Sequence, residues 1–269
     1  MKANKDTLIS FVCGLASIVA IWALWELTAA LGWEYTRVMP PPSRFLTAFA
    51  DSGFKIGIGS QAASLPESIA SSFFRVFAGL SIGFIAAIAF GTLVSLNIWL
   101  KRFLLPIIEM LAPIAPIAWI PMALVLFGIG NQTAIFIVFM GVFFILTIVT
   151  VKLISTVPQH LIDVAKTLGY KERHIWFYII IPYIAPGVFT MLRINFIAAW
   201  MAVLAAEMTG LRDGLGAIVM TGRNLFDHDL ILIGMCLIGI SGFIIDATLR
   251  FIQNKFFWWD TNQGTAAHK

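Results

Sequence analysis

The chain has 269 residues, 59% hydrophobic and 12% charged, with a formal net charge of +4 and a mean hydropathy of +0.91. A soluble domain carries roughly 25% charged residues, so this composition excludes one and calls for a bilayer as solvent, at about 20 apolar residues per span. Cys13 and Cys236 both fall in apolar runs, which gives no basis for a disulfide framework or a metal cluster, and no nucleic-acid partner is expected.

A first span is predicted over residues 8–31, preceded by Lys2 and Lys5. Its apolar run is longer than a signal-peptide core and no small-residue cleavage site follows, so an uncleaved anchor is expected. Glu26 lies near its far end, and Trp33 and Tyr35 mark a membrane–water boundary. Residues 36–67 read as a polar segment: Pro40-Pro41-Pro42 is stiff and extended, Ser43 can cap a short helix to about residue 50, and 52–64 reads as loop. The second span, 69–96, is rich in Gly and Ala, which let helix backbones approach closely in lipid. A short basic turn at 97–102 leads to a third span, 103–128. It carries Pro106, Pro113, Pro116 and Pro121, and must be kinked or broken, with freed carbonyls facing protein or a water-filled cavity. A tight turn at 128–132, a fourth span at 134–153, a polar elbow, a fifth span at 179–205, a polar loop at 207–229 and a sixth span at 230–252 follow. Phe256-Phe257-Trp258-Trp259 reads as an aromatic belt before a polar end. The organisation expected is an anchor at 1–35, an external segment with a short helix at 36–67, a core of about five spans at 68–252 and a tail at 253–269.

The elbow, residues 155–182, is the longest polar interruption in the apolar second half. Pro158 suits the first turn of a helix, where its missing N–H costs nothing. Leu161, Ile162, Ala165 and Leu168 recur at helical spacing. Gly169 follows where a helix end needs the left-handed conformation. A second helix is predicted from Lys171 to Pro182. Two readings stand at this point: an interfacial helix resting its apolar face on lipid, or a folded element that docks a partner.

Charge orients the spans. With the N-terminus inside, the inner segments hold eleven Lys and Arg, from Lys2 to Lys269, against five outside (Arg37, Arg44, Lys55, Arg212 and Arg223). That excess predicts both termini on the cytoplasmic side. Arg75 and Arg193 are left in or near spans. The chain has no Gly-Lys dipeptide, hence no phosphate-binding loop, and no His-Glu-x-x-His or Gly-x-Ser-x-Gly motif. His160, His174, His228 and His268 fall in predicted loops or the tail without metal-ligand spacing. Energy for any transport must come from a partner.

Asp163-x-Ala165, Gly169 and Ile179-x-Ile181-Pro182 fit the spacing of the E-A-A-x3-G-x9-I-x-L-P signature, with Asp163 for Glu, Val164 for Ala and Ile181 for Leu. In this the chain resembles the permease subunits of ABC importers. Met39-Pro40-Pro41-Pro42-Ser43, the Ala118-Trp119-Ile120-Pro121 core of the third span, Leu192-Arg193 and Ala205-Ala206-Glu207 are similar to the nitrate/sulfonate/taurine group. Ala115 stands where that group often has a second proline, and Leu126 where a Trp is common. The resemblance implies an all-α integral membrane protein of about six transmembrane helices with the type I importer permease fold and a cytoplasmic coupling elbow. It also implies a bacterial inner membrane, a second permease copy, two cytoplasmic ATPase subunits that hold ATP and Mg, and an external solute-binding protein. No cofactor or metal is expected in this chain, and no catalysis. The solute is expected to be small and anionic or zwitterionic, of the nitrate, sulfonate, taurine or bicarbonate kind. The alternative is a heterocyclic vitamin precursor, of the thiamine-pyrimidine or riboflavin kind. An ion-coupled secondary transporter would need a second broken helix to match the third span, and a membrane enzyme would need clustered ionisable groups near one leaflet.

The candidate coupling residues are Asp163, Val164, Ala165, Gly169, Ile179 and Pro182. Arg193, Asn195, Trp119 and Glu207 are candidates for the translocation pathway. Arg193 lies about 21 Å along the fifth span at 1.5 Å per residue, and a guanidinium there should face protein or water. A structural role is equally open, with third-span carbonyls or Asp246 as its partner.

Overall fold

The computed structural model describes residues 2–31, 39–51, 55, 56 and 63–256. Among them the chain is helical apart from a two-residue antiparallel pair, Lys55–Ile56 (β1) with Ala63–Ser64 (β2), in register Lys55 opposite Ser64. The pair stands where the sequence reads as loop. Trp33, Tyr35, Phe257, Trp258 and Trp259, of the two expected belts, lie outside the described residues. The chain divides into two compact units, one of residues 1–66 and 218–237, the other of 67–217 and 238–269.

In the first unit, helix α1 (Lys2–Ala30) carries an apolar stretch at Ala16–Ala30. Ile18, Ile21 and Leu24 on it are all more than half exposed, a surface suited to lipid rather than water. Helix α2 (Pro42–Asp51) opens on the last proline of the run, at a position that needs no donor. The two helices are fastened by Glu26, which accepts from Ser43 Oγ at 2.6 Å and from its N–H at 3.4 Å. Trp25 packs on Phe45 with ring centroids 6.1 Å apart.

The second unit is built round α6 (Asn131–Ser155), whose apolar window is 56% buried, the highest share among the long helices. Helix α3 (Leu65–Leu96) lies against it through small residues: a Cβ on Gly79 would stand 2.6 Å from Val138, and one on Gly91 2.9 Å from Thr150. The Gly-rich second span thus serves a close helix contact within the chain. The third span is broken. Helix α4 (Ile98–Leu111), capped by the Asn97 side chain, and a 3-10 turn (Pro116–Trp119) running into α5 (Ile120–Phe127) meet at 91°. The break falls at 112–115, where Pro113 removes a donor, and Pro116 opens the 3-10 turn that follows. Pro106 is carried inside α4, and Pro121 sits in the first turn of α5, where its missing N–H is harmless.

After α7 (Gln159–Thr167) and α8 (Glu172–Ile175), a π-helical segment (Trp176–Ile180) leads without a break into α9 (Ile181–Glu207). The expectation that the second elbow helix stops at Pro182 is therefore corrected. The Ile181 N–H reaches back to Trp176 O, and this widened turn accommodates a proline that lacks a donor and would crowd the carbonyl four residues back. The loop expected at 207–229 is corrected as well. It holds α10 (Leu215–Leu225), which begins directly after Gly214 at φ +117. Helix α11 (His228–Phe256) is last. The six expected spans thus correspond to α1, α3, α4 with α5, α6, α8 with α9, and α11. Four of these are long and apolar enough to cross a membrane, or five if the bent pair counts as one span.

Candidate functional site

Helix α7 begins after Pro158, which takes the N-cap position rather than the first turn. Its apolar residues point two ways. Ala165 is buried and Ile162 half-buried in a cluster with Val157, Ile175, Ile180, Ile184 and Val188. Phe84 and Ile88 of α3 and Leu153 and Ile154 of α6 pack on the same cluster, so the inner face of the elbow is fixed to the long helices. Leu161, Val164 and Leu168 face outward, with Leu168 70% exposed. With Tyr170, His174 and Tyr178 they border an apolar groove of about 600 Å³, whose floor includes Ala165 and Ile179. The His174 ring stacks on Tyr178 with centroids 6.1 Å apart and planes within 10°.

The bend between the elbow helices is set by Gly169. Its φ is +79, its N–H donates to Lys166 O at 3.0 Å, and the Tyr170 N–H donates to Ala165 O at 3.1 Å. This is the Schellman arrangement, which a left-handed residue closes. A Cβ at Gly169 would meet nothing within 4 Å, so the requirement is conformational alone. Asp163 is exposed and accepts from Gln159 Nε2 one turn earlier, at 3.2 Å. Of the six coupling candidates, Asp163, Val164, Ala165 and Gly169 lie on α7 and its turn. Ile179 lies in the π segment and Pro182 at the start of α9.

A charged network at the other end of α9 has no counterpart in the sequence reading. Arg75 is 1% exposed and Glu207 0%, with Arg75 Nη1 2.8 Å from Glu207 Oε1. Arg75 also donates from Nε to Asn131 Oδ1 at 2.7 Å, from Nη2 to Asp213 Oδ1 at 2.8 Å, and from Nη1 to Asp213 O at 2.9 Å. Ser72 Oγ donates to Glu207 Oε1 at 2.6 Å, and the Gly216 N–H to Oε2 at 2.9 Å. A Cβ on Gly214 would stand 2.4 Å from the Glu207 carboxyl carbon, so only glycine lets the chain pass. Burial pushes the Asp213 carboxyl up, but hydrogen bonds from Ser71 and Arg75, with the Arg75 charge, outweigh it and leave the carboxyl below its usual range. Arg75 stands alone as a cation in an apolar helix. That was the available signal, since an intramembrane charge calls for a partner.

Arg193 forms a second network. Its Nε donates to Asp246 Oδ1 at 3.0 Å and its Nη1 to Gln253 Oε1 at 3.4 Å. Arg250 Nη2 donates to Asp246 Oδ2 at 2.8 Å, and Gln253 Nε2 to Thr190 Oγ1 at 2.8 Å. Asn195, buried on α9, donates to Met191 O within its own helix at 2.8 Å. Trp119 sits in the 3-10 turn of the broken span, stacked on Phe144, and its buried Nε1 finds no partner among the described residues. Among the described residues no hydrogen bond or ion pair joins Arg193, Asn195, Trp119 and Glu207 to one another. Three of them share α9, and the 3-10 turn that carries Trp119 packs against that helix.

Residues 79–257 match the family model described as the binding-protein-dependent transport system inner membrane component. A putative ABC transporter permease protein of Methanocaldococcus jannaschii is 38% identical over 197 residues, covering 73% of this chain and 74% of that one. A bicarbonate transport system permease protein of Synechococcus elongatus is 30% identical over 264 residues, covering 94% and 92%. Among solved structures, a chain of the MetNI methionine ABC transporter, described in inward-facing conformations, superposes with a TM-score of 0.57. It is 20% identical, covering 69% of this chain and 92% of that one, a likeness of fold. The chain belongs to the family of binding-protein-dependent transport system inner membrane components.

Proposed function

We propose that this ABC permease subunit passes a small anionic or zwitterionic solute across the inner membrane, taken from a solute-binding protein outside and driven by ATPase subunits inside. The elbow carries the reading. Its inner face is fixed to α3, α6 and α9, while an apolar groove with Leu161, Val164 and Leu168 at its edge is left open to a partner. A push on this groove has a continuous route, because α8, the π segment and α9 run unbroken from Glu172 to Glu207. Rigid-body movement of such an element between two packings can alternate access without chemistry in this chain.

In this reading ATP and Mg belong to the ATPase pair, the permease works as two copies, and both termini are cytoplasmic. Arg193 lends the pathway positive potential, and Trp119, with its free indole N–H, is a second polar position; Asn195 and Glu207 are weaker ones. A relative named as a bicarbonate transport system permease protein supports the class of solute. Gly169→Val tests the elbow, because a β-branched residue resists φ near +79. Membrane insertion should survive, while ATPase co-purification or transport-coupled hydrolysis falls at least tenfold, about 1.4 kcal/mol of coupling. Unchanged coupling would remove the elbow from this role.

A further inference from the structure

We propose that Asp246 is a displaceable counter-ion for Arg193: in the empty protein its carboxylate holds the place that an oxyanion of the solute takes during transport. The inference rests on the reading of this chain as a permease for an anionic or zwitterionic solute.

The site has more cation than anion. Arg193 Nε and Arg250 Nη2 approach different oxygens of one carboxylate, at 3.0 and 2.8 Å. Two positive charges and one negative leave a local sum of +1. The one further acceptor on Arg193, Gln253 Oε1 at 3.4 Å, is neutral. The contact is also incomplete: Arg193 Nη2 meets no acceptor among the described residues, so one edge of the guanidinium is left for a planar or tetrahedral oxyanion.

The two arginine networks of α3 and α9 set the scale. Arg75 makes four hydrogen bonds at 2.7–2.9 Å with its side chain 1% exposed. Arg193 makes two longer ones, at 3.0 and 3.4 Å, with its side chain 26% exposed and that of Asp246 20%. One network is buried, whereas the other keeps a partly exposed guanidinium.

Displacement leaves no charge stranded. Arg250 lies four residues after Asp246 on α11 and already holds its second oxygen, so the carboxylate keeps a partner when an incoming anion takes Arg193. The exchange removes the ion pair between α9 and α11 and leaves the Gln253–Thr190 hydrogen bond at 2.8 Å. Occupancy of Arg193 thereby changes the link between two spans, which is how a bound solute can bias one packing over another.

The test is anion binding to the full-length purified permease, read as thermal stabilisation by nitrate, bicarbonate or taurine against gluconate at fixed ionic strength. Uptake of the same three, and of an aliphatic sulfonate, is measured in cells carrying the complete transporter. Asp246→Asn should bind an effective anion about tenfold more tightly, because the internal competitor is gone. Arg250→Gln should bind about threefold more weakly, since Asp246 loses its second partner. Arg193→Gln should lose the effect altogether. An unchanged or weaker midpoint in Asp246→Asn overturns the proposal. If that variant does not fold, unchanged or tighter binding by Arg250→Gln overturns it instead. Uptake by the wild-type transporter together with either of these results removes the counter-ion role and spares the transport reading; uptake of none of the three, nor of an aliphatic sulfonate, removes both.

Discussion

Arg75 reaches a residue 132 positions away, and the end of α9 at Glu207, the turn at Asp213 and the start of α10 at Gly216 converge on that one ion pair. A buried pair held by several further hydrogen bonds is costly to break from one side, because the survivor stays buried and charged. Arg75→Gln should therefore cost about 3–5 kcal/mol, read as a lower melting temperature of the detergent-solubilised protein. Arg75→Gln with Glu207→Gln should recover part of the loss. Asp213 is the exposed member, at 40%, and its carboxyl is held below the usual range. A depressed carboxylate adds stability that is present above the unfolded value, about 3.9, and is lost as pH falls through the folded one. Wild type and Asp213→Asn should thus differ at neutral pH and converge in melting experiments below about pH 4. Arg193 and Arg75 are both lone cations in apolar runs, yet the sequence offers a candidate partner only for Arg193. Asp246 is among its candidate partners, whereas the acceptors of Arg75 come from the start of α6, the end of α9 and the turn at Asp213, and no periodicity encodes that convergence.

Among elements, the elbow was legible because its signals are local: a proline at the start, helical spacing of apolar residues, and a glycine whose φ of +79 closes the turn. The direction of each apolar side chain was not. Ile162 faces the core while Leu161 and Leu168 face outward, a division fixed by α3, α6 and α9 rather than by α7 itself. The end predicted at Pro182 failed for a similar reason, since the long packed helix tolerates the proline through a π turn. The glycines of α3 announced close packing without naming the partner, which is α6. Gly79→Ile should disrupt that contact, because even its Cβ would lie 2.6 Å from Val138; the overpacking penalty is about 1–3 kcal/mol or more. Gly239→Ile is the control, as its Cβ would meet nothing within 4 Å. Folded yield should fall for the first and hold for the second.

At the scale of the whole chain, charge predicts the orientation: an N-in arrangement puts eleven Lys and Arg inside against five outside. With the proposed N-in orientation, the elbow is expected to face the ATPase and the turn that carries Asp213 the binding protein. Single cysteines decide this once Cys13 and Cys236, both exposed, are replaced by alanine. Lys171 is exposed at the start of α8 and reports the elbow. For the opposite side Gly214 is unsuitable, since any side chain there would strike the Glu207 carboxylate at 2.4 Å, and unfolding would mimic accessibility. Arg212 is exposed two residues earlier, and its side chain takes no part in the Arg75 hydrogen bonds. A membrane-impermeant maleimide should label Arg212→Cys in intact cells and Lys171→Cys only after permeabilisation. Labelling of Lys171→Cys from outside would place the groove of Leu161, Val164 and Leu168 away from ATP, and the elbow would then need another partner.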